Sequence, residues 1–188
     1  MNLTHHLLIP MPALVGDYFT GSLIYVCDHE EEGAMGLMIN RPSKFSLYEL
    51  LVEIGTVTAQ ENKDQLLNTQ VYEGGPVANE RGFVLHSSET NYAGTQTLGE
   101  GLAISSSIEA LQEIAQGRSP ESYLLALGYA GWGAGQLEAE IQNNIWLTAP
   151  GDMKLMFNTE SEHRLEAAAA LLGMTLGDLA LMASPGHA

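Results

Sequence analysis

Four glycines, Gly128, Gly131, Gly133 and Gly135, surround Trp132 between an apolar run and a helical pattern. A turn between a strand and a helix is where free backbone amides and the helix dipole would hold a phosphate. The dinucleotide spacing G-x-G-x-x-G is not met. Counted from Gly131 the third position is Gln136, and from Gly133 it is Glu138. Glu138 and Glu140 put negative charge where an anion would sit, and no lysine or arginine lies between Arg118 and Lys154. The glycines therefore read as a close-packing turn with no cofactor, and with an edge of Trp132 exposed for contact.

Other residues are tested in the same way. Arg41 stands between Asn40 and Pro42 at the end of an apolar run, and a guanidinium can grip a carboxylate with two hydrogen bonds. With 23 acids in the chain, an internal pair is favoured over a ligand clamp. His86 closes another run and titrates near neutrality when unperturbed, but no nucleophile motif stands near it in sequence, so a half-buried, hydrogen-bonded histidine is expected. Gly74, Gly75 and Pro76 read as a sharp turn, whose bare backbone could also admit a partner's main chain. Asp28, His29, Glu30, Glu31 and Glu32 offer metal-ligand atoms, but Gly33 replaces the second histidine of H-E-x-x-H, leaving a solvated acidic loop and no metal site. His5 and His6 lack supporting ligands, and Cys27 sits in an apolar run as a small hydrophobe. No G-x-S-x-G, P-loop lysine or S-x-x-K is present.

The elements that position these residues follow from spacing. Runs over Ser22–Asp28, Met35–Asn40, Thr69–Gly74, Gly82–Ser87, Leu102–Ser105, Ser122–Tyr129 and Asn144–Thr148 are too short for helices and read as strands, with a weaker one at Leu155–Phe157. Capping boxes at Ser46/Glu49, Ser106/Glu109 and Thr159/Glu162 precede i, i+3, i+4 apolar patterns closed by Gly55, Gly117 and Gly173. Thr175 with Asp178 opens a last helix, and Leu137 with Ile141 marks another. Gly55–Asn68 is polar and patternless and reads as a surface loop. Pairs of strands precede the helices, which predicts a mixed sheet with helices packed on it, an α/β (α+β) sandwich in one domain over residues 1–188.

Composition narrows the function. The formal charge is -16, from 23 acids against seven bases, which repels nucleic-acid phosphates and anionic headgroups. One cysteine excludes an internal disulfide framework. The start, MNLTHHLLIPMP, has neither a basic n-region nor a signal-length apolar stretch, and no window has the roughly 18 apolar residues of a span. A cytoplasmic location without membrane or direct DNA contact is expected.

The segments LLIPMP (Leu7–Pro12), YFTGSLIYVCDHEEEGAMGLMINRP (Tyr18–Pro42), GGPV (Gly74–Val77), FVLH (Phe83–His86) and GYAGWGAGQLEAEIQNNIWL (Gly128–Leu147) together resemble the AlgH/YqgE family, with similarity running to about Gly173. The resemblance implies a small bacterial cytoplasmic protein of α/β sandwich fold with a regulatory role in alginate production. It supplies no catalytic residues.

The expected function is regulatory, through contact with a protein partner, by a monomer or weak homo-oligomer. The contact patch would comprise Asn40, Arg41, Pro42, Gly74, Gly75, Pro76, His86, Gly131, Trp132, Gln136 and Glu140. The competing reading is an enzyme or small-ligand binder whose cleft is lined by Asn40, Arg41, His86, Gln136 and Glu140. That cleft requires His86 and Arg41 to converge on one pocket.

Overall fold

The structure, a computed structural model, describes residues 2–11, 17–55 and 63–182. The chain forms two compact units, Met1–Asn40 with Ala130–Ala188, and Arg41–Tyr129. The first unit carries β1 (His6–Pro10), β2 (Ile24–Glu30), β3 (Gly33–Met38), the last four residues of β9 (Tyr123–Gly133) and β10 (Trp146–Pro150). They pair antiparallel in the order β10-β1-β2-β3-β9. On this sheet lie α4 (Gln136–Gln142) and α6 (Ser161–Leu171), with α5 (Met153–Asn158) against α6 and α7 (Leu176–Met182) at the end. Leu8, Ile24, Val26, Met38, Trp132, Leu137 and Trp146 form its core.

The second unit carries β4 (Pro42–Ser46), β5 (Gln70–Glu73), β6 (Val77–Ser87), β7 (Gln96–Gly99), β8 (Leu102–Ser105) and the first seven residues of β9. Their order is β4-β5-β9-β6-β8-β7. The β5–β9 pair is parallel and the others antiparallel, so the expected mixed sheet is observed. Helices α1 (Leu47–Glu53), α2 (Lys63–Asn68) and α3 (Ile108–Ala115) accompany it, and Leu47, Leu51, Val71, Val84, Ile114 and Leu125 make a separate core.

Several boundaries differ from the sequence reading. The Ser46/Glu49 and Thr175/Asp178 capping boxes form as expected, each acid accepting the cap residue's amide. The cap of α3 is Ser107, one residue later than expected, because Ser106 Oγ accepts a hydrogen bond from Arg81 instead. Helix α6 begins after Glu160 without a side-chain cap. The carbonyl of Thr159 is taken by the buried Arg164 guanidinium, which also donates to the carbonyl of Ile39 at the far end of β3. Leu155–Phe157 is helical, not extended, since Asp152 caps that turn through the Leu155 amide. Part of the expected loop Gly55–Asn68 is α2, which buries Leu66; residues 56–62 of it lie outside the described residues.

Candidate functional site

The glycine-rich segment is mostly strand. Gly131 and Trp132 belong to β9 and face Met35 and Ala34 of β3, so only Gly133–Gly135 turn into α4. A Cβ on Gly33 would lie 2.2 Å from the Trp132 carbonyl, which is why this hairpin tip demands glycine. The expected exposed Trp132 edge is not found: Trp132 is 7% exposed and stacks edge-on against Trp146 at 6.2 Å. Both indole N–H groups donate to one oxygen of Glu140, Trp132 at 2.8 Å and Trp146 at 2.7 Å. The other oxygen accepts from Gln136, whose own carbonyl takes the Gly133 amide at 3.0 Å. Gln136 and Glu140 thus close a hydrogen-bonded clamp around the turn, and the Gly133 amide that a phosphate would need is occupied by Gln136.

The neighbouring acidic run is divided by burial. Glu30, Glu31 and Glu32 are exposed, but His29 is 4% exposed. Its Nδ1 accepts the Leu3 amide at 3.0 Å, which leaves Nε2–H to donate to Glu138 at 3.0 Å. The Glu138 carboxyl is held below the ordinary range, chiefly by its own backbone amide and then by the His29 ring. Of the histidine pair, His5 bonds the Tyr25 hydroxyl at 2.7 Å and His6 the Thr4 carbonyl. Asn40 accepts the Leu23 amide at 2.7 Å and donates to the Gly21 carbonyl. These residues brace the first unit. Burial pushes the Cys27 thiol far up, with the Asp28 charge adding to it, so a reactive thiolate is not formed there.

In the second unit His86 is hydrogen-bonded as expected but fully buried where a half-buried ring was expected, because the Tyr92 ring packs on it. Its Nδ1–H donates to the Ser87 carbonyl, so Nε2 accepts from Ser105 Oγ at 2.9 Å. Ser105 in turn accepts from Thr95, and Thr95 Oγ1 accepts the Tyr92 amide. This serine–histidine pair, joined across 19 residues and invisible in the sequence, is sealed: Ser105 is 1% exposed and the Tyr92 ring packs on His86. Beside it, burial raises the Tyr92 hydroxyl to about 12. Arg41 does not reach this pair. Its carbonyl accepts the Glu73 amide, level with Gly82, so His86 lies four residues along and three strands across, about 20 Å away. The cleft that His86 and Arg41 would share does not form.

Other expected patch residues do come together. Pro42 opens the edge strand β4 opposite Tyr72, and Glu73, Gly74 and Gly75 follow on β5's end. Gly74 and Gly128 sit backbone to backbone, with a Cβ on Gly128 placed 2.4 Å from the Gly75 carbonyl and one on Gly74 2.2 Å from that of Gly128. Close approach, more than turn chemistry, explains these glycines. Opposite the single residue Gly128, β6 extrudes four: Val77 pairs Tyr129, Gly82 pairs Leu127, and Ala78, Asn79, Glu80 and Arg81 bulge out. Ala78 is held at φ 46°, and Pro76, Val77, Asn79, Glu80 and Arg81 are exposed. Arg81 lies over the Phe83 ring at 5.3 Å. A second bulge, in β4 between Pro42 and Ser46, opens a shallow cavity of about 330 Å³ edged by Lys44, Phe45, Leu67, Asn68 and Gln70. Among the described residues, ligand-type atoms gather at Glu160, Glu162 and His163, all exposed, where the sequence reading places no metal.

A mixed α/β sheet with sealed polar clusters and strand-end bulges defines the structural class, and comparison with known proteins gives its family. A family model described as AlgH-like (DUF179) matches residues 7–177, and the chain belongs to that family. It is 47% identical to the UPF0301 protein AlgH of Pseudomonas aeruginosa over 186 residues, covering 99% of this chain and 96% of that one. It is 46% identical to a UPF0301 protein of Paraburkholderia phymatum over 189 residues, covering 100% and 96%. The solution structure of the AlgH protein from Pseudomonas aeruginosa matches with a TM-score of 0.82 at 46% identity, covering 100% of this chain and 97% of that one. A crystal structure of a Corynebacterium diphtheriae protein, 21% identical with a TM-score of 0.65 over 87% and 85% of the chains, shares the fold.

Proposed function

We propose that this protein is a cytoplasmic regulatory component that works by contact with a protein partner and not by turnover. The β6 bulge carries this reading. Four consecutive residues of β6 leave the ladder opposite Gly128, next to the exposed Pro76 and Val77, and one of them, Ala78, is held in the left-handed region. Bulges re-aim side chains at functional edges, and such strain persists only where the surroundings enforce it. Here the enforcement is the glycine contact between Gly75 and Gly128. The groups suited to catalysis are otherwise engaged, with His86 fully buried and both Glu140 oxygens bonded. The contact surface therefore moves from the buried Trp132 to Arg41, Pro42 and Pro76–Arg81.

Affinity capture from the host cell tests this, comparing the native protein with Val77→Lys, an exposed position. At least one captured protein is expected to fall about tenfold, with the melting temperature unchanged. Retention of every partner at native levels overturns the placement, and activity on a small molecule by the intact protein overturns the non-catalytic reading.

A further inference from the structure

Helix α7 has the sequence LGDLALM, and its packing is one-sided. Leu179 alone of these seven is buried. At 100° per residue Leu176 lies about 60° from Leu179, and Leu176, Ala180, Gly177 and Leu181 form one continuous arc that ends opposite Leu179, all four exposed. Leu176 is 42% and Leu181 73% exposed, and Leu171, at the end of α6, is 45% exposed. A helix that is apolar on both sides belongs in a core or under a cover. The one charge on α7, Asp178, sits at the helix start, where it accepts both the amide and the hydroxyl of Thr175. That contact holds its carboxyl below the ordinary range.

The charges on the same two helices identify the cover. The exposed carboxylates are Glu160 at the cap and Glu162, Glu166 and Asp178 within; exposed His163 lies 3.5 Å from Glu162, and the arginine of α6, Arg164, is buried. A second copy of the chain would bring like charge to like charge, with -16 on each molecule. From this face we infer a second docking surface: the apolar side of α7 inserts into an apolar groove rimmed by lysine or arginine on a different protein. The mode is a helix in a groove, anchored at Leu176 and Leu181. This inference rests on the contact-based reading above but uses another surface.

The test places a photo-crosslinking amino acid at Leu181 of the full chain in its own host, followed by mass spectrometry. The partner so identified is then purified and titrated against the native protein, L176Q/L181Q and E166K. Expected are a crosslink to another protein, at least tenfold weaker binding for L176Q/L181Q, weaker binding for E166K, and loss of affinity with added salt. Crosslinks confined to copies of this chain overturn the inference, as does the absence of any crosslink. Equal binding by L176Q/L181Q overturns it too, provided its circular dichroism matches the native protein. V77K is expected to leave this crosslink intact. If the native chain captures nothing in any format the contact-based reading itself fails, whereas a partner kept by L176Q/L181Q sinks only the α7 surface.

Discussion

Glu140 serves three donors with two oxygens, and two of those donors are indoles buried at 7% and 2% exposure. Removing the acceptor strands both N–H groups, and each stranded buried donor costs about 1–3 kcal/mol. Glu140→Ala is therefore expected to lose about 2–5 kcal/mol, with a shift in tryptophan fluorescence, while Glu140→Gln loses less because it keeps an acceptor. Urea unfolding followed by fluorescence measures both, and equal losses would show that charge, not hydrogen bonding, holds the clamp. Gly128 is constrained twice, by φ 72° and by carbonyls at 2.4 and 2.9 Å from an added Cβ. Gly128→Ala is expected to destabilise by about 2–4 kcal/mol, more than the left-handed cost of about 1–2 kcal/mol alone. Cys27 is sealed in the strand, so a thiol reagent is expected to leave the folded protein untouched and to label it only in denaturant.

Among elements, the capping boxes of α1 and α7 are the devices most exposed to pH. The Ser46 amide, then its hydroxyl, holds the Glu49 carboxyl low; Thr175 does the same for Asp178. A carboxyl whose folded pKa lies below its unfolded one stabilises fully above the unfolded value and ceases to do so as pH falls through the folded value. The ordinary values are 4.5 for Glu49 and 3.8 for Asp178, so thermal stability should hold from neutrality to about that range and then decline. Ser46→Ala is expected to cost about 1 kcal/mol at pH 7 and to flatten the acid-side decline in a melting series. An unchanged slope would assign the acid sensitivity elsewhere. Strand β4 shows the opposite concern: Pro42 at its start, exposed Lys44 and a bulge all discourage edge-to-edge pairing with another strand.

For the whole molecule, charge sets the terms of association. At -16 the chain is expected not to bind duplex DNA at physiological salt, and tight binding in a gel-shift or anisotropy assay would refute that. Its partners should instead present cations, and association should slow as salt rises, because steering by net charge is screened within about 8–10 Å. The two proposed surfaces lie in different units, one on the β6 bulge and one on α7, so V77K and L176Q/L181Q should affect different captured proteins or different phases of one titration.

Local chemistry was sufficient for much of this. Alternating strand pairs and helices, the Ser46/Glu49 and Thr175/Asp178 caps, and the left-handed glycines at 55, 117 and 173 all depend on neighbours in the chain, and neighbours are what a sequence states. The family resemblance likewise rests on contiguous motifs. Only tertiary structure could decide that Trp132 is buried, since its partners Trp146 and Glu140 arrive on another strand and a helix. The same holds for Ser105 meeting His86, for Arg81 diverting Ser106 from its cap, and for Arg164 and Ile39 joined across 125 residues. Distant carbonyls and indoles compete for the same donors and acceptors as local ones. Which partner wins is fixed by strand register and packing, which no short stretch of sequence contains.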